Sequence, residues 1–110
     1  MTADKIYTMN EVVASLSMLS GQMIKVRGVL RVGRENHSIS DVAEPDFRVH
    51  EHPRLWVYFH HATLGTRERD LPKFDRRQVI AEGVPDISRK RHFGGFAGSL
   101  TIRHMEFCES

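Results

Sequence analysis

The last third of the chain constrains the fold more than any other segment. Residues 77–84 and 99–107 are rich in β-forming side chains, and the link between them carries the glycine-rich and aromatic sequence HFGGFAG at residues 92–98. Links of this composition occur where a small antiparallel sheet turns a tight corner. We therefore expect two late strands that help to close a compact β-barrel.

A second strong signal is a period of two along residues 23–32. One side carries Ile24, Val26, Gly28, Leu30 and Val32, and the other carries Lys25, Arg27, Val29 and Arg31. Alternation of this kind predicts a long strand with one buried side. Gly28 lies in its middle, and a glycine there lets one strand bend sharply and serve both sides of a barrel.

The N-terminal segment predicts a helix. Thr8 and Glu11 have the spacing of a capping box, in which each side chain bonds the backbone N–H of the other residue. Apolar residues then recur at helical spacing at Met9, Val12, Val13, Leu16 and Leu19. Gly21 follows, where a left-handed cap is expected. Residues 1–21 are thus interpreted as a helical segment that packs one apolar stripe on the barrel.

The middle of the chain supplies the remaining elements. Residues 38–42 are expected to form a short return strand, and residues 43–54, with two prolines and several charges, predict an exposed loop or frayed edge. Residues 55–59 are apolar on both sides, which favours a central strand. Residues 63–74 lack a clean period but could anchor a short helix or turn under the barrel.

Composition favours one globular domain over residues 1–110, with the barrel spanning residues 22–107. Hydrophobic residues make up 40% and charged residues 27% of the chain, which is ordinary for a globular protein. No apolar stretch approaches the roughly 20 residues of a membrane helix, and the first residues lack the layout of a secretory signal. We therefore expect a cytoplasmic protein without a membrane partner. Cys108 is the sole cysteine, so an internal disulfide is excluded.

The predicted fold class is all-β with minor α: a five-stranded, OB-fold-like Greek-key barrel with an N-terminal helix. The spacing of residues 21–30, 55–57, 79–83 and 95–106 also resembles that of small uncharacterised bacterial OB-fold proteins. The matching positions are structural glycines and core residues. The resemblance therefore implies a fold and no activity.

One candidate binding surface combines basic and aromatic side chains. The residues proposed for it are Lys25, Arg27, Arg31, Trp56, Tyr58 and His60, together with Arg89, Lys90 and Arg91 in the link before the last strand. Bases of single-stranded nucleic acid stack on aromatic rings while Lys and Arg neutralise phosphate. The competing interpretation is that Trp56 and Tyr58 fill the core and that the charges form a solvated surface.

The seven histidines raise the question of a metal site. His50 and His52 would share one side of an extended segment, and His60 could supply a third ligand. This spacing matches no known zinc signature, and a domain of this size does not need a structural metal. We expect no cofactor and regard the metal site as the weaker alternative.

The sequence contains no catalytic signature, so we expect a protein that is not an enzyme. The formal net charge is only +2, and residues 41–54 and 67–77 mix both signs of charge. Mixed charge suits a protein partner better than a polyanion. The favoured hypothesis is a binding module of the inhibitor, immunity or accessory type, monomeric or homodimeric. Single-stranded nucleic-acid binding is the alternative.

Overall fold

The computed structural model describes residues 5–33, 37–42, 53–88 and 98–108. In this part of the chain the strands are β1 (Ile6–Thr8), β2 (Ile24–Val32), β3 (His37–Ser40), β4 (Arg54–Phe59), β5 (Arg77–Asp86) and β6 (Ser99–Phe107). The helices are α1 (Met9–Ala14), α2 (Leu16–Leu19), α3 (His61–Leu64) and a 3₁₀ helix (Glu68–Phe74).

Five of these strands close into a barrel. The order is β2, β3, β4, β6, β5, and β5 pairs back onto β2 in an antiparallel register that runs from Ile24 opposite Gly83 to Leu30 opposite Arg77. The pair β4 and β6 is parallel, and β1 adds in parallel to the first half of β2. The sequence-based prediction of a mostly β protein with a five-stranded barrel is confirmed.

The alternation along β2 decides which side chains form the core. Val26 and Leu30 are fully buried, whereas Lys25 and Arg27 between them face outward. Burying one aliphatic side chain of this size contributes about 1.5–3 kcal/mol relative to leaving it in water. The core continues across the barrel through Ile39, Leu55, Val57, Val79, Ala81, Leu100 and Ile102.

Gly28 is required because β3 approaches β2 closely at this point. A Cβ atom at residue 28 would lie 2.7 Å from Cγ1 of Ile39 and 3.0 Å from the carbonyl oxygen of Ser40. At these distances the Ile39 side chain or the backbone of β3 would have to shift. The glycine predicted to let β2 bend therefore also makes room for the adjacent strand.

The N-terminal helix begins as predicted but is divided. The amide of Thr8 donates to Oε1 of Glu11 at 2.9 Å, and the amide of Glu11 donates to the Thr8 hydroxyl at 3.2 Å, which completes the capping box. Ser15 leaves helical geometry and separates α1 from α2, consistent with the poor helix propensity of serine. Gly21 has φ of 85°, as expected for a left-handed residue after the helix.

Two predictions for the middle of the chain have different outcomes. The expected short helix or turn over residues 63–74 is confirmed by α3 and the 3₁₀ helix, which bury Leu64, Leu71 and Phe74 against the barrel. The prediction of an exposed loop over residues 43–54 is wrong at its C-terminal end, because Pro53 and Arg54 are buried and Arg54 already belongs to β4. The rest of that segment, residues 43–52, lies outside the described residues.

In the ranges described above, each helix is too short, or carries too much polar surface, to cross a lipid bilayer.

The close approach at Gly28 can be tested by its effect on stability. An alanine inside a strand is normally favoured over glycine by about 0.5–1 kcal/mol, whereas overpacking costs about 1–3 kcal/mol. We expect Gly28→Ala to lower the free energy of unfolding, measured by urea denaturation, because the added methyl group meets Ile39. An unchanged or raised stability would contradict the packing described here.

Candidate binding surfaces

The outward side chains of β1, β2, β5 and β6 lie in two rows across the barrel wall. We call this surface the mixed-charge face; its first row is Ile6, Lys25, Glu82 and His104, and its second row is Thr8, Arg27, Ile80 and Glu106. All eight residues are exposed or half-buried. Two predicted binding residues, Lys25 and Arg27, therefore lie in the middle of this face.

The charged side chains of the mixed-charge face form no ion pairs with one another. Lys25 and Arg27 lie on one strand, and Glu82 and Glu106 lie on the two strands that follow in the wall. None of these four side chains forms an ion pair with another residue that the structure describes. Both signs of charge are therefore available to groups outside the chain.

A hollow of about 470 Å³ lies at one end of this face. It is lined by Lys5, Tyr7, Gln22, Met23, Ile24, Lys25 and Glu82. Met23 is 46% exposed and Ile6, beside Lys25, is 38% exposed. The Lys5 ammonium lies 4.6 Å from the centre of the Tyr7 ring. The hollow thus combines an aromatic ring, an exposed methionine and charges of both signs.

Trp56 lies on the opposite part of the barrel wall and is buried. Leu55 and Val57, its neighbours in β4, belong to the core cluster, whereas Trp56 does not and so projects to the outer side. It is nevertheless only 4% exposed, and Arg54, on the same side of β4, is 2% exposed. The outer side of β4 is therefore screened from solvent here, and the indole presents no open face for stacking.

Arg31 and Tyr58 flank Trp56. Across the wall, Arg31 lies opposite Ser38, which lies opposite Trp56, so the structure brings two of the predicted basic and aromatic residues into one row. Nε of Arg31 lies 3.6 Å from Oδ1 of Asp75. Tyr58 is half-buried and lies opposite Thr101 of β6. The guanidinium of Arg31 already has an anionic neighbour.

His60 follows β4 and takes part in a local hydrogen-bond group. Its Nδ1 lies 2.9 Å from the Thr63 hydroxyl, which also donates to the carbonyl oxygen of Arg103. Among the described residues, no group of three or more His, Cys, Asp or Glu side chains could hold a metal ion. The other predicted site residues, His50, His52, Arg89, Lys90 and Arg91, lie outside the described residues.

The barrel end on the side of the 3₁₀ helix contains a titratable residue that sequence reasoning did not select. His37, the first residue of β3, lies opposite Val32 and packs edge-on against Phe59, with ring centres 4.9 Å apart. Its Nδ1 is buried without a hydrogen-bond partner. One feature of the sequence indicates that His37 faces inward. It lies two residues before the inward-facing Ile39 and therefore shares its side of the strand.

Burial lowers the pKa of His37 from its ordinary value of 6.5, repulsion from His61 adds to this effect, and Glu68 opposes it. The neutral ring is thus favoured in the folded state. As pH falls below about 6.5, the unfolded chain takes up a proton at this residue before the folded protein does. The stability contributed by the neutral ring is then lost progressively until pH reaches the folded-state pKa.

We therefore expect the free energy of unfolding of the native chain to fall, relative to that of His37→Gln, as pH is lowered from 8 to 5. Urea denaturation of both proteins at several pH values measures this difference and cancels the contribution of the other histidines. A difference that stays constant with pH, or that grows in favour of the native chain under acid conditions, would contradict the buried neutral imidazole.

Comparison with known proteins adds no assignment: no family model matches the chain, and no curated protein is found to match it. The surfaces described above therefore carry the functional argument.

Proposed function

We propose that this chain is a non-catalytic OB-fold module that binds a protein partner through the mixed-charge face. The observation that carries the proposal is that one outer wall presents four charges of both signs that form no ion pair with any residue the structure describes. A polyanion would be attracted by Lys25 and Arg27 but repelled by Glu82 and Glu106. A protein surface can offer a complementary pattern to both.

The strand arrangement supports the OB-fold assignment. Counted from β2, the third and fifth barrel strands pair in parallel, and the fourth pairs with the first. The first strand is long and contacts neighbours on both sides, and a helical segment precedes the fourth strand. These features are the ones expected of a five-stranded Greek-key barrel of the OB type. We include in the same proposal the resemblance of this chain to small bacterial OB-fold proteins.

The size of the face indicates what else the partner must cover. Strands lie about 4.8 Å apart, and alternate side chains along a strand lie about 6.7 Å apart. The area of two rows across four strands is therefore far smaller than the roughly 800 Å² that each partner buries in a standard interface. We therefore include the adjacent hollow in the interface. Tyr7 and Met23 are residue types enriched in protein interfaces, and a hollow beside them can receive a partner's side chain.

This role requires no chemical step from the chain itself. A protein that covers a partner's surface, as inhibitors, immunity proteins and accessory subunits do, needs shape and charge complementarity rather than a nucleophile or a metal. We propose this kind of partner, with no cofactor. A cytoplasmic location, and a monomeric or homodimeric state, stay predictions from the sequence.

Single-stranded nucleic-acid binding is the alternative function, favoured by the row that joins Arg31 to Trp56. It has less support because the Trp56 ring is buried and Arg31 lies beside Asp75. Binding through this row would require the indole to become accessible. A base stacked on it would then quench tryptophan fluorescence.

The test compares two double charge reversals in the full-length chain. Lys25→Glu with Arg27→Glu changes the mixed-charge face, and Arg67→Glu with Arg69→Glu makes the same change at exposed residues by the 3₁₀ helix. Proteins retained from native extract by the unmodified chain are identified, purified and titrated by calorimetry. We expect the first variant to bind at least about tenfold more weakly and the control to bind normally.

A partner that binds both variants equally would contradict the location of the interface. Titration with an oligothymidylate at low salt decides between the two functions. We expect no quenching of Trp56, and quenching that weakens steeply as salt is raised would favour the nucleic-acid function instead.

A further inference from the structure

The inward positions of the barrel are apolar almost throughout, and His37 is an exception. In the described strands the half-buried or buried inward positions carry aliphatic or aromatic side chains, proline or glycine, apart from His37. Arg77 has the same orientation but is exposed at the start of β5, with its guanidinium 4.9 Å from the centre of the Phe107 ring. A polar ring inside the barrel mouth, away from the mixed-charge face, calls for an explanation.

The surroundings of His37 fix which nitrogen can meet a ligand. Nδ1 is buried without a hydrogen-bond partner, and a proton there would be an orphaned donor. Nε2 is not buried in this way and makes no hydrogen bond with the residues that the structure describes. The neutral ring therefore carries its proton on Nε2, so that it offers one N–H donor at the barrel mouth.

A pocket of about 470 Å³ opens at this position. It is lined by Val32, Gly33, His37, Glu68, Leu71 and Pro72. This volume lies within the range of about 300–1,000 Å³ found for small-molecule sites, and the mouths of β-barrels are among their preferred locations. The walls contributed by Val32, Leu71 and Pro72 are apolar, while His37 supplies a donor and Glu68 supplies an acceptor.

We propose that this pocket binds a small, flat amino-heterocycle of the aminopyrimidine or purine type. Such a ring presents a nitrogen acceptor beside an amino donor, so that Nε2–H of His37 can donate to the ring nitrogen while the amino group donates to the Glu68 carboxylate. The apolar walls contact the ring. An anionic ligand would meet Glu68, and a hydrocarbon would leave both polar groups unpaired.

The proposal does not depend on the protein-binding function. The pocket lies where β2 ends, at Val32, whereas the hollow of the mixed-charge face lies where β2 begins, at Ile24. One site can therefore fail its test without affecting the other.

Adenine is the probe, titrated into the uniformly ¹⁵N-labelled full chain while amide shifts are followed by NMR. We expect saturable shifts centred on Gly33, His37 and Leu71. His37→Phe keeps an aromatic ring against Phe59 and removes the donor, and Glu68→Gln replaces the carboxylate without changing its shape. Each is expected to weaken binding roughly fivefold or more, because His37→Phe removes one hydrogen bond and Glu68→Gln, which keeps an acceptor oxygen, removes the negative charge that strengthens the other.

The controls separate this site from general weak binding. Glu106→Gln makes the same chemical change on the mixed-charge face and should leave adenine binding unchanged. N⁶,N⁶-dimethyladenine lacks the amino hydrogens that would be donated to Glu68 and should bind to the native chain more weakly than adenine does. If His37→Phe does not fold, Glu68→Gln carries the test, since Glu68 is exposed.

The proposal is overturned if millimolar adenine produces no saturable shifts, if the shifts lie away from the pocket, or if Glu68→Gln binds as tightly as the native chain. An oligodeoxyadenylate forms the second arm. Binding of free adenine without tighter binding of the oligonucleotide supports a small-molecule ligand. Tighter oligonucleotide binding at the same amides would assign the heterocycle to nucleic acid and overturn the small-molecule assignment.

Discussion

The structure depends on β2 being paired along both of its edges. Its first half lies between β1 and β5, and its second half lies between β3 and β5. Such a strand has no open edge, which removes the risk of uncontrolled pairing with other chains. It also fixes the orientation of every side chain, because a slip of one residue would turn Val26 and Leu30 outward and bury Lys25 and Arg27. Gly28 permits this arrangement by making room for β3.

The functional surfaces follow from this constraint. Since the aliphatic side of β2 must face the core, its basic residues face outward beside the acidic residues of β5 and β6, which creates a wall of mixed charge. The two ends of β2 then differ. The first end borders the hollow near Met23, and the second borders the mouth that contains His37. One strand thus positions both proposed sites and keeps them apart.

Features set by neighbouring residues were predictable from the sequence. The capping box of Thr8 and Glu11 and the alternation along β2 depend on residues a few positions apart, and the structure confirms both. The three-residue β1 was missed because so short a segment has no period. The break at Ser15 was missed because the apolar stripe continues past it.

Features set by tertiary contacts were less accessible. Alternation places Trp56 on the outer side of β4 but cannot tell that this side is screened from solvent. His37 was not selected because the return strand was predicted to begin at Ser38, which left His37 in the preceding turn. In the structure β3 begins one residue earlier, at His37, and this places the imidazole inside the barrel mouth. The mixed-charge face could not be predicted either, because its rows depend on the register between β2, β5 and β6.

The most direct test of barrel closure is the pattern of nuclear Overhauser contacts between backbone protons of β2 and its neighbours. Closure predicts contacts from Val26 to Ala81 and from Gly28 to Val79 on β5, together with contacts from Leu30 to Ile39 on β3. Contacts from β2 to β3 without any to β5 would show an open sheet. They would contradict both the orientation of the charged wall and the site at the barrel mouth.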